Sequence, residues 1–429
     1  MFGLANFLLL ALFAAAVFDL IFALAKGGGL RGALHGLWNT PHLLFGQQLA
    51  EWRLQLGRIL FAAGLAAYEI SVVFCNSMAR QNWAWVQGVM SPVLEWLAFL
   101  CFGAKILFGT RYTWRELLAG GALYFIARWV YFNSQNIWWI GIVVAVLAAK
   151  DVPLRRPLQV YFASGCAAMA VVLALHFAGI VAPDLTSERM GALRGTYGYG
   201  HPNTFGGLVF GLVLAYALLR AQKVRWVDCL LVFAVGVFLL VGPASRSAAL
   251  CTLALAVGLV FCRLRAGHSV PRWWPGTCAG MVGLTAAVSY LLPLLVIKVG
   301  PWNNDIGPAW LAKLDSLLTC RISLTWMAYR LLDVKIAGQV FNWPTVDNSF
   351  AFALFQFGPV VAALLGILFA AALLGHAKQG RRVEVCCLFA MLAYAYMEVQ
   401  PFHLTTNPTA LLLCGAVFAQ TSARWQKIE

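Results

Sequence analysis

Apolar runs of roughly 18 to 25 residues recur along the whole chain, separated by short polar joints. Each is long enough to cross a hydrocarbon core of about 30 Å as a helix. About thirteen spans are expected on this pattern: Phe2–Ala25, Leu56–Ser77, Met90–Gly109, Glu116–Phe132, Ile137–Ala149, Val160–Val181, Thr204–Arg220, Trp226–Gly242, Arg246–Phe261, Gly276–Ile297, Asn348–Leu374, Glu384–Val399 and Thr405–Ala419. The expected fold is therefore all-α, a polytopic integral membrane helical bundle of 12–13 transmembrane helices forming a single domain over residues 1–429. Two polar interruptions stand out, a motif loop at 183–203 and a longer loop at 298–347 with a helix-like stretch at Leu311–Leu332. Ala33–Trp52, moderately apolar with interspersed charges, is expected to lie along the membrane surface.

Composition sharpens this reading. With 62% hydrophobic and 11% charged residues, the chain has too much apolar surface to hide in a water-soluble globule. The first span lacks a basic n-region and is long enough to remain as an anchor. The eleven cysteines sit mostly inside apolar runs without CxxC or Cys/His spacing, so they read as core fillers.

The net charge of +15 reads as topology, not as a nucleic-acid surface. Basic residues gather on alternate loops, among them Arg53 and Arg58, Lys150 with Arg155 and Arg156, Arg220 with Lys223 and Arg225, Arg263 with Arg265, Arg381 with Arg382, and Arg424 with Lys427. The positive-inside rule places these in the cytoplasm and the loops 183–203 and 298–347 outside.

Three polar motifs fall on that outer face, each where the chain re-enters the bilayer: His201-Pro202-Asn203-Thr204, Ser245-Arg246-Ser247 and Asp347-Asn348-Ser349. The free N–H groups and positive dipole ends of inward-running helices favour a bound anion there. Arg194 and Arg246, with Arg321 as a third, suit a phosphate-rich headgroup because guanidinium pairs two phosphate oxygens and stays charged. Tyr199, Asn203 and Asn348 join them as candidate binding residues. His201 and Asp347 are the candidate proton acceptors.

Structural alternatives exist for each motif. The arginines could snorkel or pair with Asp184, Glu188 or Asp315, the Gly-Tyr-Gly-His-Pro-Asn run is a loop-to-helix joint, and Asp347 could cap a helix. The intramembrane charges Glu69, Glu95, Lys105, Arg128 and Glu398 read first as bundle locks, with Glu69–Arg128 and Glu95–Lys105 as pairings. Trp138, Trp139, Trp273 and Trp274 read as interfacial belt. The chain has no P-loop, GxSxG, HExxH or outer DxD motif, so neither a metal nor another cofactor is expected.

The order of motifs resembles the O-antigen polymerase and O-antigen ligase superfamily, nearest to polysaccharide polymerases of exopolysaccharide and capsule synthesis. An arginine precedes GlyTyrGlyHisProAsn, GlyProAlaSerArgSerAla follows one span later, and an arginine-bearing loop ends in ValAspAsnSerPhe before PheGlyProVal. The resemblance covers Val160–Ala371. It implies a metal-independent inverting glycosyltransferase acting on undecaprenyl-diphosphate-linked oligosaccharide at the outer leaflet of a bacterial cytoplasmic membrane, extending a growing polysaccharide chain beside a flippase and a chain-length regulator.

Carried onto this chain, Arg194 and Arg246 would clamp the diphosphate and Arg321 would be the loop arginine. Asp347 stands where ligases usually have histidine, which weakens the ligase reading and leaves the base open between Asp347 and His201. A ligase acting on a finished glycan and a non-enzymatic transporter of lipid-linked sugar are the competing classes. A transporter would be expected to show repeat symmetry or broken spans at mid-bilayer.

Overall fold

The structure, a computed structural model, describes residues 2–25, 29–45, 50–181, 187–189, 192–297 and 306–418. Asp184, Lys298, Ala419, Arg424 and Lys427 lie outside the described residues, as do the side chains of Glu188 and Arg189. The helices of the first half are α1 (Phe2–Ala25), α2 (Gly29–Asn39), α3 (Ala50–Cys75), α4 (Ala79–Asn82), α5 (Ser91–Phe108), α6 (Trp114–Ser134), α7 (Ile137–Ala148), α8 (Arg155–Phe177) and α9 (Pro202–Leu219). Those of the second half are α10 (Trp226–Val241), α11 (Arg246–Leu264), α12 (Trp274–Leu291), α13 (Ala309–Leu317), α14 (Arg321–Leu331), α15 (Ser349–Phe352), α16 (Pro359–Lys378), α17 (Arg382–Met397) and α18 (Cys414–Val417).

The protein is an all-α polytopic membrane bundle. Among the described residues, seven helices are long and apolar enough to cross a bilayer, with shorter apolar helices such as α7 and α10 beside them. The outward face of α10 carries Val227, Leu230, Phe233 and Val241, all exposed. Such a face is unfavourable in water and suited to acyl chains. The extended pieces are two short antiparallel strand pairs, β1 (His42–Leu43) with β2 (Arg111–Tyr112), and β3 (Ser187–Arg189) with β4 (Ala192–Arg194).

The last expected span, Thr405–Ala419, is not a regular helix. Pro408–Leu413 is a 3₁₀ helix followed by the single turn of α18, about 18 Å in all and too short to cross alone. The chain instead dips into the bundle through a 3₁₀ turn at Gln400–Phe402 and non-helical backbone at His403–Asn407, and Phe418 arrives at the opposite end against Tyr112, ring centroids 6.2 Å apart. Irregular backbone at membrane depth requires internal partners. Tyr161 Oη donates to the Thr405 carbonyl at 2.5 Å, Asn407 Nδ2 to Pro401 O at 2.9 Å, and Asn407 Oδ1 accepts from Ala410 N at 3.1 Å.

Small residues on α9 make this possible. A Cβ on Gly211 would stand 2.5 Å from the Thr405 carbonyl oxygen, and one on Gly206 would stand 2.2 Å from Ser245 Oγ. Only glycine lets the α9 backbone come so close to the Thr405 backbone and to the Ser245 side chain.

The expected span Asn348–Leu374 is likewise broken. Gly358, at φ +88°, ends a first segment and Pro359 opens α16, as a positive-φ glycine and an N-terminal proline dictate. Cys320, also in the left-handed region, separates α13 from α14 within the longer loop.

Three further expectations are corrected. Lys105 is buried and donates to Thr110 Oγ1 at 2.6 Å and to the Lys150 carbonyl, not to Glu95. Glu69 is buried with no ion pair among the described residues, and the Arg128 guanidinium lies 4.6 Å from the Phe132 ring centroid. Trp139 belongs to the core, stacked on Phe357 at 5.7 Å, because its span is enclosed by protein and not by lipid headgroups. Trp273 is exposed at a helix start, as an interfacial tryptophan would be.

The bundle has two chemically distinct ends. The starts of α9, α11 and α15 and the end of α17 lie together at one of them. Arg155, Arg220, Lys223, Arg263 and Arg381 meet at the other, around a common cavity.

Candidate functional site

The polar centre at the first end is Glu398, immediately after α17. Its Oε1 accepts three hydrogen bonds, from Arg321 Nη2 at 2.6 Å, Ser247 Oγ at 2.8 Å and Asn203 Nδ2 at 3.0 Å. Its backbone carbonyl accepts from Ser349 Oγ at 2.6 Å. One residue thus ties together four elements far apart in sequence, the first turns of α9, α11 and α14 through its carboxylate and that of α15 through its backbone carbonyl. A charge-assisted hydrogen bond is shorter and stronger than a neutral one, so Glu398 sets the mutual positions of these helix ends.

Arg321 is nearly enclosed, at 7% exposure. Besides Glu398, it donates to the carbonyls of Leu318 and Met397 and to Thr319 Oγ1. Its donors are spent within the protein. The neighbouring Asp315 pairs with no arginine among the described residues. Its Oδ1 accepts from the backbone N–H groups of Ile322 at 2.8 Å and Ser323 at 3.2 Å, which caps α14.

Arg194 is also buried, at 5%. Its Nη2 donates to Asn203 Oδ1 at 2.9 Å and to the Ala244 carbonyl at 3.1 Å, and its Nε to the Pro243 carbonyl at 3.4 Å. Asn203 therefore bridges Arg194 on one side of its amide and Glu398 on the other. Gln400 Nε2 donates to the Asn203 carbonyl at 3.1 Å, and Tyr394 Oη holds Gln400 Oε1 at 2.7 Å. Arg194, Asn203, Glu398 and Arg321 make a continuous buried network.

Three of the sequence-selected residues border that network, two of them exposed and one half-buried. Arg246 opens α11 and is exposed. Ser245, the residue before it, makes no side-chain cap, so the first turn of α11 presents N–H groups without a capping side chain. The Arg194 guanidinium lies on the carbonyls of Pro243 and Ala244, which puts both arginines at one joint.

His201, exposed, is the N-cap of α9, with Nδ1 accepting from Asn203 N at 3.0 Å. Asp347 is half-buried and close enough to Glu398 for the two carboxylates to repel. Capping of α15 falls to Asn348, whose Oδ1 accepts from Phe350 N at 2.9 Å and Ala351 N at 3.1 Å, while its Nδ2 donates to Ser289 Oγ at 3.1 Å. Capping thus accounts for Asn348 and leaves Asp347 without that role.

Tyr199 does not serve as a contact for an external ligand. It is fully buried, bridges Ser77 through its backbone and packs on Phe205 at 5.6 Å. Asn348 is buried too and meets protein on every polar atom of its side chain. Both hold the joint together.

Beneath the network, an apolar cavity of about 90 Å³ opens beside Ser349, lined by Tyr290, Phe369, Met391, Phe402 and Asn407 among others. It continues from the polar centre toward the interior of the bundle. Among the described residues no group of three His, Cys, Asp or Glu side chains is placed to hold a metal ion.

A search of known families, of characterised proteins and of solved structures finds no match for the chain.

Sequence reasoning selected Arg194, Arg321, Asn203 and Asn348 as ligand contacts and read Glu398, at the end of an apolar run, as a bundle lock without naming its partners. Ser349 was part of the Asp347-Asn348-Ser349 motif, whereas Gln400 carried no comparable signal.

Proposed function

We propose that this protein is a membrane glycosyltransferase that joins lipid-diphosphate-linked oligosaccharide units into a polysaccharide in a bacterial inner membrane, with the Glu398 end facing outward. The observation that carries the reading is the convergence, on one buried residue, of three helix starts, Asn203 and Ser247 on the Glu398 carboxylate and Ser349 on its backbone carbonyl. Arg246 and His201 are exposed at two of those helix starts, and Asp347 is half-buried beside Glu398.

Labour divides accordingly. Arg194, Asn203, Glu398 and Arg321 form the rigid floor. Arg246 and the start of α11 supply positive charge for a diphosphate, which leaves with the electron pair of the broken anomeric C–O bond. The acceptor hydroxyl oxygen attacks the anomeric carbon from the opposite face, and its proton passes to Asp347. Asp347 suits that role better than His201, whose Nδ1 is engaged in capping α9. The apolar cavity beside Ser349 fits part of an isoprenoid tail. A diphosphate is an activated leaving group, so positioning and charge neutralisation suffice for the chemistry.

The test is the purified protein in proteoliposomes with a defined lipid-diphosphate oligosaccharide and a chelator, followed by product sizing. A ladder of multiples of the repeat is expected. Transfer of a preformed glycan to a second acceptor without a ladder would favour a ligase, and transbilayer movement of intact substrate without new glycosidic bonds would favour a transporter.

A further inference from the structure

At the opposite end of the bundle lies a larger cavity of about 650 Å³ that the proposed glycosyl transfer does not use. Its walls come from α8, α9, α11, α16 and α17, elements far apart in sequence. Its rim carries Arg155, Arg220, Lys223, Arg263, Arg381 and Arg382 against a single carboxylate, Glu384. Topology alone asks for basic residues on these loops, but not for six of them around one concavity.

Two of the six are occupied by the protein. Arg220 Nε pairs with Asp228 Oδ1 at 3.1 Å, and Arg382 donates to the carbonyls of Arg265 and His268, which pins the loop between α11 and α12. Arg155, Lys223 and Arg263 have no carboxylate partner among the described residues. Three uncompensated cations around one cleft, with Arg381 beside the single carboxylate Glu384, repel one another unless an anion joins them.

Backbone geometry points the same way. The cavity is bordered by the starts of α8 and α17, which begin after Leu154 and Arg381, and neither has a side-chain cap. Both helices turn positive dipole ends toward it, while α9, α11 and α16 end at the same cavity with basic residues at their last turns or C-caps. His376 Nδ1, on the cavity wall, is buried with no hydrogen-bond partner among the described residues. The floor is apolar, formed by Leu158, Leu218, Val383 and Leu412.

We propose that this basic cleft binds a phosphoryl group, held by Arg155, Lys223, Arg263 and Arg381 at the membrane end opposite the Glu398 site. The apolar floor beneath a cationic rim matches a phospholipid headgroup with the first part of its acyl chains, and a soluble phosphate compound shares the same recognition chemistry.

Isothermal titration of the detergent-solubilised full chain with dioctanoyl phosphatidic acid tests this, with inorganic phosphate as the second probe. The wild type is expected to bind saturably, and an Arg155→Gln/Arg263→Gln/Arg381→Gln variant of unchanged melting temperature about tenfold or more weakly. Binding of the amphiphile alone assigns the cleft to a lipid headgroup, and competition by inorganic phosphate at similar concentration assigns it to a soluble phosphate compound.

If the triple variant does not fold, Arg263→Gln alone, at an exposed position, is expected to weaken binding about threefold or more. Equal binding by wild type and a folded variant would overturn the proposal, as would the absence of saturable binding of either probe to the wild type.

Discussion

Arg321 Nη2 and Glu398 Oε1 are 2.6 Å apart, and both side chains are more than nine-tenths buried. An ion pair so enclosed loses much of its solvation, and removal of one partner leaves an uncompensated charge. Arg321→Ala and Glu398→Ala are each expected to destabilise the protein by about 3 to 5 kcal/mol. The paired replacement Arg321→Met with Glu398→Leu is expected to recover a substantial part of that loss. Thermal unfolding in detergent checks both, and a double variant no more stable than the singles would show that the pair does not act as one unit.

Arg194 and Arg246 sit at the same joint but are expected to fail differently. Arg194 is buried under three hydrogen bonds to Asn203, Pro243 and Ala244, so Arg194→Ala should lower both melting temperature and activity. Arg246 is exposed, so Arg246→Ala should unfold like the wild type while polymer formation falls roughly thirty- to thousand-fold. Melting curves alongside product sizing separate the two behaviours. Equal thermal destabilisation of both variants would contradict the division.

Asp347 and Asn348 are adjacent and separable in the same way. Asn348→Ala removes the cap of α15 and is expected to cost about 1 kcal/mol of stability, with much of the activity retained. Asp347→Asn keeps shape and cap and is expected to reduce turnover about 10²- to 10⁴-fold. His201→Ala should behave like the loss of a cap. If His201→Ala proves inactive and Asp347→Asn active, the proton acceptor is His201.

Gly211 faces the dipped segment, where an added Cβ would meet the Thr405 carbonyl at 2.5 Å. That neighbour is backbone held by Tyr161 and cannot swing aside. Gly211→Val is therefore expected to destabilise by about 1 to 3 kcal/mol, measured by thermal unfolding. Gly366, beside which an added Cβ meets nothing, is the control position.

Much of the fold was legible because an apolar run long enough to cross a bilayer can do little else. The exceptions were local conflicts between length and backbone chemistry. Pro408 and Asn407 turned the last run into a dip with a short helix, and Gly358–Pro359 split another. Trp139 was misplaced because a tryptophan in an apolar run reads alike whether lipid headgroups or neighbouring helices surround it.

For the candidate site, the motif residues were readable one by one, since arginine and helix-start signals are local. Their roles were not. Whether an arginine meets a ligand or a carboxylate depends on which distant residue arrives beside it, and Glu398 is 77 positions from Arg321. Tyr199 shows the same limit, for its burial follows from the bridge to Ser77 and not from its own motif.

The most direct test of the central claim, that the helix starts around Glu398 form a glycosyl-transfer site whose working groups are Arg246 and Asp347, is product sizing from proteoliposomes holding wild type, Arg246→Ala or Asp347→Asn at matched folded protein. The account expects a polymer ladder from wild type and almost none from either variant. Ladders of wild-type length and yield from both variants would contradict it.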